Sequence, residues 1–109
     1  MEFTMNGVYY NIEEVDEEYM KDGEDGDHYY YGQTDWEKHL VMIDKKLGLS
    51  KKKKTLYHEL MHVYIKEYIT TETLEDINEE ILCDFSANSH DIIHKIVEDY
   101  FKIDNKERM

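Results

Sequence analysis

The sequence predicts an α+β fold: a small antiparallel sheet of three or four strands, packed on a long helix and on a second helix that follows it. Three observations lead there. Runs of alternating apolar and polar residues, separated by turn signals, fill the chain up to Ile43. From Ser50 onward the apolar residues recur at helical spacing instead. A chain of 109 residues with 40% apolar residues and no proline holds one modest core and not two, so residues 1–109 are expected to form a single domain.

In "EFTMNGVYYNI" the pair Asn6-Gly7 separates two alternating runs. Both residues tolerate positive φ, which predicts a tight hairpin. The next stretch, "EEVDEEYMKDGEDGDH" over residues 13–28, is acidic and punctuated by glycine, and reads as an acidic surface loop. It is not a calcium loop, because no window combines the aspartate spacing with glycine sixth and glutamate twelfth. "HYYYGQ" and "HLVMI" then read as the strands of a second hairpin joined by "TDWEK", with Trp36 as a lid over the core. Gly32 inside a strand points to a bulge or to close approach by another backbone.

The long helix is expected from Ser50, as N-cap, to about Ile69. Leu56, Tyr57, Leu60, Met61, Val63, Tyr64, Ile65 and Tyr68 fill so much of its circumference that it should be central and mostly buried. Lys51 to Lys54 stand in its first turn, where the helix dipole disfavours cations, and read as a solvated patch. "TTETLED" leads to another helix from near Glu75, with Ile77, Ile81, Leu82 and Phe85 and then Ile92, Ile93, Ile96, Val97, Tyr100 and Phe101 at its apolar positions. Asn88-Ser89 is a candidate break in it.

Composition narrows the function. A net charge of −13 argues against direct nucleic-acid binding and favours basic partners. One cysteine forms no internal disulfide, and no apolar run approaches the roughly 18 residues of a membrane span. "MEFTMNGVYY" lacks the basic and apolar parts of a standard signal peptide. These features predict a cytoplasmic protein with no membrane role.

Chemistry concentrates in "TLYHELMHVYIKEY", where His58 and His62 stand four apart with Glu59 beside the first. On a helix, four residues place two side chains about 40° apart and one turn above each other. Both imidazoles can then reach one zinc ion at about 2.0–2.1 Å. Glu59 projects to the side, where it faces a water and not the ion. This is the H-E-x-x-H arrangement, with Glu59 as general base. Two histidines and a glutamate inside an apolar helix are costly unless partnered, and a metal is the simplest partner.

The next helix should supply a third ligand. On a wheel of about 100° per residue, Glu80 and Asp84 fall together between Ile77 on one side and Cys83 and Ala87 on the other, while Glu79 points away beside Leu82. Glu80 is the expected third zinc ligand, and Asp84 is suited to accept the free N–H of a ligating histidine. Cys83 is a rival ligand by chemistry, but reads better as a small buried residue. His28 and His39, isolated beside strands, read as surface or packing residues.

"HELMH" followed after 17 intervening residues by "EILCD" resembles the gluzincin peptidases, in which a glutamate helix joins the H-E-x-x-H helix. The E-x-x-x-D spacing of Glu80 and Asp84 is similar to the thermolysin-like glutamate helix. The small size, the strands ahead of "TLYHELMH" and the run "EILCDFSA" look most like the IrrE/ImmA-type zinc peptidases, especially short forms encoded by phages and mobile elements. The likeness covers roughly residues 29–101. Cys83-Asp84 departs from the alanine-asparagine pair usual in that family's helix, and no helix-turn-helix segment or sensor domain accompanies the site.

The resemblance implies zinc-dependent cleavage of a peptide bond in a protein or peptide substrate, such as a repressor or host factor. Glu59 would take a proton from the attacking water and hand it to the departing amine. Tyr57, Tyr64, His90 and His94 are chemically able to donate to the developing oxyanion. An extended substrate could add along an exposed sheet edge, at Tyr29 to Gln33 or His39 to Ile43. Two other readings fit the composition. One is a zinc-stabilised acidic binding module or inhibitor that grips a basic host protein without turnover. The other is a DNA mimic built on Glu13 to Asp27.

Overall fold

The computed structural model describes residues 1–20, 31–69 and 89–102. Asn6 and Gly7 both take positive φ, 51° and 81°, and turn β1 (Glu2–Met5) tightly into β2 (Val8–Val15). Alternation along these strands buries Phe3, Met5, Tyr10 and Ile12 and leaves Thr4, Tyr9 and Asn11 exposed. The asparagine also reaches a helix 61 residues away in sequence, where its Nδ2 donates to the Glu67 carbonyl. Its backbone N–H donates to Tyr68 Oη. β2 runs on to Val15, so Glu13 and Glu14 are strand residues and not the start of an acidic loop over 13–28. A short 3₁₀ helix (Glu17–Met20) follows, and residues 21–28 lie outside the described residues.

The second hairpin pairs β3 (Gly32–Asp35) with β4 (Leu40–Asp44); of "HYYYGQ", Gly32 and Gln33 are strand, Tyr31 is not, and His28, Tyr29 and Tyr30 lie outside the described residues. Asp35 Oδ1 accepts the N–H groups of Glu37 and Lys38, and His39 takes φ 51°, so Thr34 and Asp35 stay in the strand and the turn forms after them. The strand order is β1-β2-β4-β3, with β2 and β4 parallel. The sheet is therefore mixed, where an antiparallel one was expected. The reason lies in β4, whose residues Val41, Met42, Ile43 and Asp44 are buried in succession. Burial in succession marks a strand covered on both faces, the setting in which parallel pairing is usual. β4 takes that setting beside β2 and leaves the short, glycine-bearing β3 at the edge.

Helix α1 (Leu49–Tyr68) crosses one face of this sheet, starting from Gly48 as N-cap instead of Ser50. It buries Leu56, Leu60, Val63 and Tyr64 in a core shared with Phe3, Met5, Tyr10, Ile12, Val41 and Ile43. Residues 89–102 are helical (α2) and add Ile93, Ile96, Val97 and Phe101 to the same core. Each large apolar side chain buried there contributes roughly 1.5–3 kcal/mol. α1 is less buried than the mostly buried helix expected: His58, His62, Lys66 and Tyr68 lie exposed on its outer side.

The lysine run divides among three neighbours and is not a uniform solvated patch. Lys52 is buried, with Nζ 2.6 Å from Glu14 Oε1, and Tyr100 Oη donates to Glu14 Oε2 at 2.7 Å. That clasp ties β2, α1 and α2 together. Lys51 and Lys53 lie over the rings of Tyr31 and Phe101. Among the described residues, no helix is long and apolar enough to cross a membrane.

Candidate metal centre

The two histidines converge on the outer side of α1. Their rings stand nearly perpendicular, 77° apart with centroids 4.8 Å apart, and their Nε2 atoms are separated by 3.2 Å. Two nitrogens held about 2.0–2.1 Å from one tetrahedral ion are themselves about 3.3–3.4 Å apart, so the pair fits zinc with little movement. The same separation serves an N–H···N hydrogen bond when the rings carry opposite tautomers. Because both Nε2 atoms face the shared point, both Nδ1 positions face outward, where a carboxylate can orient them. Both rings are exposed, so the burial cost expected of them does not arise. Helix α1 covers the sheet with one side only, and His58 and His62 lie off it.

Glu59 is the buried member of the motif, 8% exposed. Its Oε1 accepts a hydrogen bond of 2.9 Å from Thr34 Oγ1 on β3. That contact requires the edge strand to lie directly on the helix, and Gly32 makes it possible. A Cβ at Gly32 would stand 2.6 Å from Thr55 Cγ2, 3.1 Å from Glu59 Cγ and 3.1 Å from the Met42 carbonyl. The close approach expected at Gly32 is thus mainly that of helix side chains. Alternation along β3 places Gly32 and Thr34 on the same side, toward α1.

No family model, curated protein or solved structure matches the chain. The functional reading therefore rests on the residues themselves. Glu80, Cys83 and Asp84 lie outside the described residues. Among the described residues, no three histidine, cysteine, aspartate or glutamate side chains converge.

The opposite flank of the histidines belongs to α2. Tyr57 Oη lies 2.9 Å from His90 Nδ1, and His90 stacks on His94 with centroids 5.5 Å apart. Tyr57, His90 and His94 thus gather on one flank of α1. Tyr64, by contrast, is turned into the core, where burial and then the neighbouring Tyr68 raise its pKa.

Of the two strand segments considered for substrate, His39 to Ile43 is excluded, because β4 is paired on both sides. Of Tyr29 to Gln33, Tyr29 and Tyr30 lie outside the described residues, and β3 is an edge strand among the described residues. His39 stacks on Tyr10 at 4.7 Å, and Trp36 stands edge-on to the same ring at 6.4 Å. Thr34 was missed from sequence. Its only local signal is sharing a strand side with Gly32, and nothing local says that Glu59 lies opposite.

Proposed function

We infer that the protein is a zinc-dependent peptidase, with His58, His62 and Glu80 as metal ligands and Glu59 as general base. The observation that carries this is the convergence of the His58 and His62 Nε2 atoms beside a buried glutamate held by an edge strand. Zinc, when bound, supplies Lewis acidity toward water and toward a peptide carbonyl. The protein's own groups do the rest. Thr34 holds Glu59 Oε1, which fixes the carboxylate and leaves Oε2 without a hydrogen-bond partner among the described residues. Glu59 takes the proton of the attacking water and delivers it to the departing amine. Asp84 accepts the outward N–H of a histidine and sets its tautomer.

β3 offers the place for substrate. The Asp44 N–H donates to the Tyr31 carbonyl, so in an antiparallel ladder Tyr31, Gln33 and Asp35 turn their backbone groups toward β4. The N–H and C=O groups of Gly32 and Thr34 then face the far edge of β3, which pairs with no other strand among the described residues and where an extended peptide can add. A peptide added there would run alongside Glu59, which Thr34 of the same strand holds.

The deciding experiment is zinc analysis combined with cleavage of protein or peptide substrates by the parent and by Glu59→Gln. One zinc per chain in both, with hydrolysis lost by about 10²–10⁴-fold in the variant, is expected. Equal cleavage by both removes Glu59 as base. Glu80→Gln should weaken zinc binding and Glu79→Gln should not. If zinc binds and nothing is cleaved, the zinc-stabilised binding module is the surviving reading.

A further inference from the structure

The outer side of α1 is basic in a chain that carries 26 acidic residues against 13 lysines and arginines. Lys51, Lys54, His58, His62 and Lys66 are all exposed and fall within about 120° of the helix circumference. The helix has two carboxylates, and neither lies in that sector: Glu59 is buried against Thr34, and Glu67 accepts from Tyr10 on the opposite side. Lys51, Lys54 and Lys66 form no ion pair among the described residues, whereas Lys45, Lys52 and Lys95 do.

Two of these lysines are held toward β3. Lys51 Nζ lies 4.5 Å from the Tyr31 ring centroid, and Lys66 Nζ lies 5.2 Å from that of Trp36. These contacts, with Gly32 against Thr55 and Thr34 against Glu59, show that β3 runs beside α1 in the same direction. The strip of surface between β3 and the histidines is therefore bracketed by an aromatic–lysine pair at each end.

We propose that this basic strip selects an extended peptide with acidic side chains on both flanks of the bond to be cleaved. The proposal rests on the peptidase reading for its register and on the charge pattern for its chemistry. The fifteen helical steps from Lys51 to Lys66 span about 22 Å, which an extended strand covers in about seven residues. The histidine pair lies about 9 Å from the Lys66 level and about 14 Å from that of Lys51. Acidic residues are thus read about three positions to one side of the scissile bond and about four to the other. The rest of the molecule repels an acidic ligand, but that repulsion is long-range and screened by salt, while the lysine contacts are short.

The test uses the zinc-loaded full chain and two fluorescein-labelled peptides with the same neutral centre. One carries glutamates about seven residues apart, and the other carries glutamines there. At physiological ionic strength the glutamate peptide should be cleaved with about three- to tenfold higher kcat/KM, the range for two exposed ion pairs. Lys51→Gln with Lys66→Gln should bring that ratio to about one, and the double lysine-to-glutamate variant should invert it. Anisotropy binding of both peptides to the Glu59→Gln protein gives a readout that needs no turnover. A binding preference for glutamate that vanishes in the lysine variants, without cleavage by the parent, supports the basic strip as an acidic-peptide site and removes the peptidase. Cleavage with no glutamate preference, or a preference indifferent to Lys51 and Lys66, overturns acidic-peptide selection by the basic strip and leaves the peptidase standing. Absence of both binding preference and cleavage overturns the proposal as well.

Discussion

At Gly32 a missing side chain sets the spacing between strand and helix. Gly32→Ala would push a methyl into Thr55 Cγ2, which sits on a β-branched side chain with little rotamer freedom. Overpacking of this kind costs about 1–3 kcal/mol, and urea denaturation should show it. Adding Thr55→Ser, which removes that methyl, should recover at least half of the loss; no recovery would place the strain elsewhere. Thr34→Val keeps the shape but takes away the hydrogen bond to Glu59 Oε1. A buried carboxylate left short of a donor costs about 1–3 kcal/mol. Thr34→Val should therefore destabilise the parent more than it destabilises a Glu59→Leu background, whose side chain accepts no hydrogen bond. Equal effects in the two would mean that Thr34 does not act through Glu59.

At the level of elements, the clasp of Lys52, Glu14 and Tyr100 joins a strand to both helices. Lys52→Met leaves Glu14 largely buried without its cation. Breaking such a pair from one side costs about 3–5 kcal/mol, and the hydrogen bond from Tyr100 should keep the loss near the lower end. Replacing both partners, with Glu14→Leu added, should restore much of the stability, because two apolar groups need no charge partner. A double-mutant cycle measures this, and additive losses would deny the coupling. The hairpin turn works across elements too. Asn6→Ala loses a residue suited to φ 51° and the bond to the Glu67 carbonyl, so it should cost about 1–2 kcal/mol, with the C-terminal turn of α1 showing faster amide exchange.

For the whole molecule, protons and zinc both act on stability. Tyr10 is buried in the core, and its pKa is pushed up from 10.0 to about 12 by desolvation first, then by the charge of Glu67 and the hydrogen bond to it. Folding therefore favours the neutral phenol. Its contribution is fully present below pH 10 and is lost as pH rises toward about 12. Tyr10→Phe should flatten the alkaline decline in urea midpoint over that interval; an unchanged decline would assign it to other groups. If His58, His62 and Glu80 share a zinc ion, folding and metal binding are linked. Free zinc at about a hundred times its dissociation constant should then add about 2.7 kcal/mol, and a chelator should remove it. A midpoint insensitive to zinc would argue against a folded-state site.

By itself the sequence determined what depends on neighbours along the chain. Asn6-Gly7 specified a hairpin because two successive positive φ angles suit few other residues. Apolar spacing specified the long helix, and the helix repeat alone set His58 one turn from His62. Strand order was beyond it, because hairpin patterning does not say that the buried run of β4 will settle parallel to β2. Nor could it say that Lys52 would be buried, that the two histidines would face solvent, or that Thr34 would hold Glu59. Those outcomes turn on which surfaces meet, and pairing between residues 25 to 86 positions apart leaves no local periodicity to read. Only the packing of sheet against helices decided them.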